Sequence, residues 1–154
     1  EFRTNYLSYI HLIKAFLPFF QRRNSGAMVF TSSTTSIVPI IRCGNYGASK
    51  AALHHFLMVL RQNMKDASSD VRIIEIFPPS VQTELHDARH QPDLKNGAQI
   101  GMPLEDFTEA AHNAIIRGEE DIVIGAAEEW YYPFEPLRHG RFTELVEKLR
   151  DYGK

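Results

Sequence analysis

The sequence predicts an α/β protein built on a parallel sheet, on three observations. Stretches with apolar residues at helical spacing alternate with short runs rich in β-branched side chains. Those runs, "AMVFTSS", "VRIIEIF" and "DIVIG", are apolar at neighbouring positions, as suits strands covered on both faces. Polar or proline-bearing breaks such as "QRRNSG", "DASSD" and Pro78-Pro79 separate the segments. A sheet of this kind takes ligands at the carboxyl ends of its strands, so the chemistry is expected just after "AMVFTS" and just after "VRIIEIF".

Each element has its own justification. Phe2, Tyr6, Tyr9, Ile13, Phe16 and Leu17 mark a helix over residues 1–17, closed by Pro18 and "QRRNSG". A Ser/Thr-rich turn follows the first strand and ends in Gly44-Asn45 turn chemistry. Over residues 46–64, Ala48, Ala52, Phe56, Leu60 and Met64 fall four apart, with Leu53 and Leu57 beside them, so a second helix is expected. The prolines at 78 and 79 stop the second strand. Residues 80–102 are polar and aperiodic, and a stretch that long reads as disordered or as a functional loop or lid. Pro103, the acidic Glu105 and Asp106, and Leu104, Phe107, Ala111 and Ile115 announce a third helix. "DIVIG" is the third strand, "EEWYYPFEPLRHG" is expected to be irregular, and residues 141–151 form a last helix. No repeat or interdomain linker is visible, so one domain spans residues 1–154.

Composition narrows the function classes. The 154 residues are 44% hydrophobic and 23% charged with a net charge of -2. That is ordinary globular composition and gives no reason to expect nucleic acid or an anionic membrane as partner. The apolar runs fall far short of a membrane span. Cys43 is the single cysteine, which excludes a disulfide framework and a cysteine-based zinc site. A reducing compartment, the cytoplasm, is expected. The chain has no initiator Met and begins inside an amphipathic pattern, which reads as a fragment or processed chain; the alternative is a whole domain with a frayed first helix.

The segment "GNYGASKAALHHF" sets Tyr46 and Lys50 one helical turn apart, with Ser33 at the end of the first strand. A phenol titrates near pH 10, too high for a base at neutral pH. An ammonium about 4 Å away, at an effective dielectric of about 20, favours phenolate by about 4 kcal/mol. This would lower the phenol by up to about 3 units, toward what a general acid/base needs. Ser33 would then hydrogen-bond a substrate oxygen as charge develops on it. Tyr-x-x-x-Lys alone is a weak signal, and its weight comes from the strand-end Ser, the turn and the second strand ending in prolines. A hydrolase reading of Ser33 fails for want of a Gly-x-Ser-x-Gly elbow.

"TSSTTSIVPIIRCGNYGASKAAL" resembles the catalytic segment of the short-chain dehydrogenase/reductase family, with its Ser, a gap of this length, and Tyr-x-x-x-Lys. "TNYLSYIHLIKAFLPFF" resembles the family's central helix, and "IEIFPPSVQTEL" the stretch where the family has Pro-Gly-x-x-x-Thr. "PPSVQTELHD" resembles the DltE-like subset. The resemblance implies a Rossmann-like doubly wound parallel sheet, present here as its C-terminal half of about three strands. It implies NADP or NAD as cofactor and a small-molecule carbonyl or alcohol as substrate. It assigns proton transfer to Tyr46, tuning of that phenol and a ribose contact to Lys50, the substrate oxygen to Ser33, and a water between Lys50 and solvent to Asn5. It adds cofactor contacts at Pro78, Val81 and Thr83, with Pro79 standing where the family has Gly. The helices at 1–17 and 46–64 are implied to form a homo-oligomer contact, and residues 80–102 a substrate loop.

The family's Thr-Gly-x-x-x-Gly-x-Gly turn, which cradles the pyrophosphate, matches nothing in these residues. About 100 residues of dinucleotide-binding half are therefore expected outside the chain, and the chain alone is expected to be inactive. The rival reading is a fragment or degenerate paralogue that acts as an interaction module. No metal is expected: His86 and His90 have i,i+4 spacing but lie in a loop without a third ligand. His54 and His55 read as partly buried helix residues. Trp130, Tyr131, Tyr132 and Phe134 read as core or subunit contact, with a substrate-pocket wall as the alternative.

Overall fold

A computed structural model describes residues 1–152. Three strands, β1 (Ala27–Thr31), β2 (Arg72–Phe77) and β3 (Asp121–Val123), pair in parallel in the order β1-β2-β3. Ala27 faces Arg72 and Thr31 faces Ile76 across the first pair, and Glu75 faces Asp121 across the second. Helix α1 (Ser8–Arg23), preceded by a π-helical turn at Arg3–Leu7, leads into β1. Helix α2 (Gly44–Asp66) crosses from β1 to β2, and α3 (Leu104–Arg117) from β2 to β3. A short helix α4 (Ala127–Tyr131) and a long one, α5 (Glu135–Tyr152), close the chain.

The side-chain period of β2 explains the layers. Ile73 points into a core with Ile13, Phe30, Leu53, Leu57, Leu60, Met64 and Val71, which seats α1 and α2 on one face of the sheet. Ile74 and Ile76 point the other way, into a core with Ala111, Ala114, Ile122 and Ile124 beneath α3. Phe77 meets Ala127 and Tyr131 of α4. The architecture is the doubly wound α/β sheet expected, as three strands with flanking helices.

Four expectations need correction. Helix α1 runs through Pro18 to Arg23, because burying Leu17 and Phe20 against the core outweighs one missing hydrogen bond. It ends instead at Asn24, left-handed at φ 46°, whose N–H bonds the carbonyls of Gln21 and Phe20. Strand β1 is buried on one face only: Phe30 is enclosed, but Val29 is 45% exposed. The stretch "EEWYYPFEPLRHG" is largely helical, since Pro136 lies in the first turn of α5, where its absent N–H costs no bond. Its aromatic residues divide: Tyr131 is core, whereas Trp130, Tyr132 and Phe134 are exposed. Finally, His54 is fully buried rather than partly so.

Residues 80–102 contain only two short 3₁₀ turns, Glu84–His86 and Gly97–Gln99. A parallel bridge between Val81 and Met102 closes the segment into a loop. Gly101 makes this closure possible: at φ +92° a Cβ there would lie 2.1 Å from the Ser80 carbonyl oxygen. An Arg42–Asp93 ion pair ties the loop to the β1–α2 connection. Among the described residues no helix is long and apolar enough to cross a membrane.

Candidate functional site

At the carboxyl end of β1 the backbone turns sharply, with Ser33 extended and its Oγ accepting bonds from Thr35 N (3.2 Å) and Thr35 Oγ1 (3.0 Å). This cap fixes Ser33, which is 8% exposed, where the next helix begins. Helix α2 approaches closely because Gly47 has no side chain; a Cβ there would meet the Thr35 carbonyl oxygen at 3.2 Å. Tyr46, half-buried, and Lys50, 5% exposed, therefore face the turn that carries Ser33.

Lys50 Nζ donates to the Thr31 carbonyl oxygen at 2.7 Å and lies 5.7 Å from the Tyr46 ring centre and 5.8 Å from that of Tyr9. Burial lowers its pKa, against the opposing pull of Glu75. Tyr46 moves opposite to the sequence expectation: burial raises its pKa above 10, and Ser33 is the group that pulls it back down. Desolvation of the phenolate, which a pair of charges alone does not include, is the larger effect here.

Asn5 lies in the π-helical turn, a local widening that is frequent at functional positions. Its Nδ2 donates to Ser49 Oγ at 3.1 Å, and Ser49 Oγ donates to the Tyr46 carbonyl oxygen at 2.7 Å. Asn5 is thereby joined to α2 between Tyr46 and Lys50. Pro78, Val81 and Thr83 follow the end of β2, where Thr83 is exposed and its Oγ1 accepts only a long 3.4 Å bond from Leu85 N. A nicotinamide cofactor fits one observation in particular. The Lys50 ammonium has three donors and, among the described residues, one hydrogen bond, to the Thr31 carbonyl oxygen, which leaves donors available to a ribose hydroxyl.

Sequence reasoning missed a second polar assembly one turn further along α2. His54 Nδ1 lies 2.9 Å from Glu75 Oε2 and its Nε2 3.0 Å from Glu135 Oε2, all three residues being fully buried. Burial alone would lower the His54 pKa, but the bonds to Glu135 and Glu75 outweigh it and raise it to about 9. The lone acidic residue in "VRIIEIF" was the available signal. His86 and His90 do not converge: His90 Nδ1 contacts the Glu84 carbonyl oxygen at 2.8 Å, and His86 Nδ1 contacts Gln91 at 3.3 Å. A groove of about 330 Å³ between Arg61, Lys65, Val71 and Glu120 opens at the opposite, amino-terminal end of the strands. Ligand sites in such sheets lie at the carboxyl ends, so this groove is not the site.

The profile of the short chain dehydrogenase family matches residues 1–93. The chain is 39% identical over 149 residues to a hydroxysteroid 11-beta-dehydrogenase 1-like protein of Xenopus tropicalis, covering 97% of this chain and 48% of that one. It is 29% identical over 122 residues to the uncharacterized oxidoreductase DltE of Bacillus subtilis, covering 79% and 47%. That similarity supports the DltE-like subset only weakly. The chain spans about half the length of these relatives. A short chain dehydrogenase from Burkholderia cenocepacia, solved in complex with NADP, superposes at a TM-score of 0.72 with 22% identity, over 95% of this chain and 59% of that one. One from Burkholderia phymatum in complex with NAD gives 0.72 with 19% identity, over 94% and 58%. Profile match and sequence identity together settle the membership: this chain belongs to the short-chain dehydrogenase family.

Proposed function

We propose that the protein is an NAD(P)-dependent oxidoreductase interconverting a small-molecule carbonyl and its alcohol, with Ser33, Tyr46, Lys50 and Asn5 as its proton relay. The convergence of Ser33, Tyr46 and Lys50 at the carboxyl end of β1 is the observation that supports this reading. The nicotinamide, when bound, supplies or accepts the hydride. In the reducing direction Ser33 hydrogen-bonds the carbonyl oxygen and Tyr46 Oη gives it a proton. Lys50, with donors to spare, would hold the ribose and stabilise the resulting phenolate, while Asn5 holds a water that returns a proton from solvent. Pro78, Val81 and Thr83 would contact the nicotinamide end. The raised Tyr46 pKa keeps the phenol protonated, as a proton donor in the reducing direction must be.

The 154 residues hold no Thr-Gly-x-x-x-Gly-x-Gly turn, so turnover is proposed for the whole protein and not for this chain alone. In the whole protein Tyr46→Phe would abolish turnover while leaving NADPH or NADH affinity nearly intact. Unchanged turnover removes Tyr46 from the mechanism. A second reading, association through the helices at 1–17 and 46–64 without catalysis, is favoured by exposed Phe2, Leu12, Phe16 and Val59. Sedimentation of the whole protein, combined with a turnover assay, separates the cases: a dimer without cofactor response supports the second, and turnover in any oligomeric state supports the first and removes the second.

A further inference from the structure

We propose that His54, Glu135 and His139 form a binding site for one divalent transition-metal ion of the zinc class, with Glu75 orienting His54. The site is distinct from the Ser33–Tyr46–Lys50 cluster and does not depend on it. Helix α2 contributes His54, and the first turns of α5 contribute Glu135 and His139 at i,i+4, one above the other on a single helix face. Their ligand atoms lie within 4.8 Å of one another. Glu135 Oε2 is 3.0 Å from His54 Nε2 and 3.7 Å from His139 Nε2. Adjacent ligands on a tetrahedral zinc, with bonds of about 2.0–2.1 Å, stand about 3.4 Å apart, so the two distances bracket the required edge. The two imidazole rings are nearly parallel, at 28°.

Three further observations point to a ligand. Glu135 is fully buried, yet its Oε1 makes no hydrogen bond; the Arg138 guanidinium lies 3.0 Å from it as an ion pair in poor hydrogen-bond geometry. His139 Nε2, buried although its ring is 36% exposed, also makes none. Glu75, fully buried on the far side of His54, engages Nδ1 at 2.9 Å, which turns Nε2 toward the other two groups. A carboxylate behind a ligating imidazole is the usual outer partner of a metal-bound histidine. Two imidazoles and one carboxylate favour zinc, cobalt or nickel over magnesium or calcium. The His139 ring, 36% exposed, is the part of the site open to solvent and the route of entry.

The test is titration of the EDTA-stripped whole protein with Co²⁺, followed by visible absorption, and with Zn²⁺, followed by calorimetry. One equivalent of Co²⁺ should develop the intense absorption of a four-coordinate site and be displaced by Zn²⁺. His139→Gln, at the most exposed of the three positions, should weaken binding at least tenfold with unchanged circular dichroism and thermal unfolding of the metal-free protein. Glu75→Gln should weaken it by about 10–100-fold without changing the stoichiometry. Absence of saturable binding in the parent protein overturns the proposal. So does affinity that His139→Gln leaves unchanged, since the ion would then sit elsewhere.

Discussion

Arg61 offers the most stringent check on how the layers are joined. It projects from α2 and is 8% exposed. Its Nε donates to the Ile73 carbonyl oxygen at 2.8 Å, its second terminal nitrogen donates to the Glu120 carbonyl oxygen at 2.8 Å, and its first pairs with Asp121. One guanidinium thus binds the start of β2 and the start of β3 to the helix above them. Arg61→Met keeps most of the aliphatic stem and removes all three contacts. The Glu120 carbonyl oxygen still accepts from Glu75 N at 2.8 Å, so the loss concentrates on Asp121, whose side chain is 24% exposed and would be left without its partner. Breaking a buried pair from one side costs about 3–5 kcal/mol, and the partial exposure of Asp121 places this case at the lower end, about 3 kcal/mol. With a urea slope of about 2 kcal/mol/M, the midpoint should fall by about 1.5 M. Arg61→Met combined with Asp121→Asn should recover part of that loss, because the orphaned charge goes with it. A single-variant loss below about 1 kcal/mol, or no recovery in the double variant, would refute the assignment of this ion pair as the clamp.

Leu57, fully buried between α2 and the sheet, should cost about 2–5 kcal/mol on replacement by Ala, read as a lowered urea midpoint with an unchanged slope. Gly101→Ala forces a Cβ to 2.1 Å from the Ser80 carbonyl oxygen; strain of about 1–3 kcal/mol should open the 80–102 loop to limited proteolysis while the far-ultraviolet spectrum stays unchanged. Equal cleavage rates for parent and variant would dismiss that constraint. In the cofactor-free chain the Tyr46 phenol should ionise above pH 10, since burial raises it. The ultraviolet difference titration of the parent against Tyr46→Phe isolates it, and a midpoint below 10 would show that Lys50 dominates after all.

Much of the fold was legible because it depends on local period. The three strands and α2 and α3 repeat the expected pattern, and β2 is buried on both faces with Ile73 and Ile74 in opposite cores. Proline misled at Pro18, where it was expected to close α1, although a helix tolerates it where core contacts compensate; the start of α5, with Pro136 in its first turn, lay in a stretch expected to be irregular. The Tyr46–Lys50–Ser33 grouping was legible from spacing, but the direction of the Tyr46 shift was not, because burial cannot be read from a pair of charges. The His54 cluster was hidden by distance along the chain: its partners lie 21 and 81 residues away. Glu75 was its only local trace, a carboxylate in a strand that is otherwise apolar along "IIEIF".

That trace has a mechanical consequence for the candidate site. Along its buried face α2 carries Lys50, His54 and Arg61, each held by a different part of the sheet. Lys50 reaches the end of β1 at Thr31, His54 reaches Glu75 within β2, and Arg61 reaches Ile73 and Asp121 at the starts of β2 and β3. Apolar contacts such as those of Leu53 and Leu57 hold a helix against a sheet but tolerate small slides along it, since dispersion is non-directional. Hydrogen bonds and ion pairs do not, because they weaken steeply with angle and distance. Three directional ties, spaced along the helix, therefore fix its register against the strands. The proton transfer proposed for Tyr46 would need that register: the donor, the oxygen it serves and the group that stabilises its anion must sit within hydrogen-bond reach at once. The buried polar groups of α2 are thus the physical reason that a phenol on a helix and a hydroxyl on a strand end are held face to face.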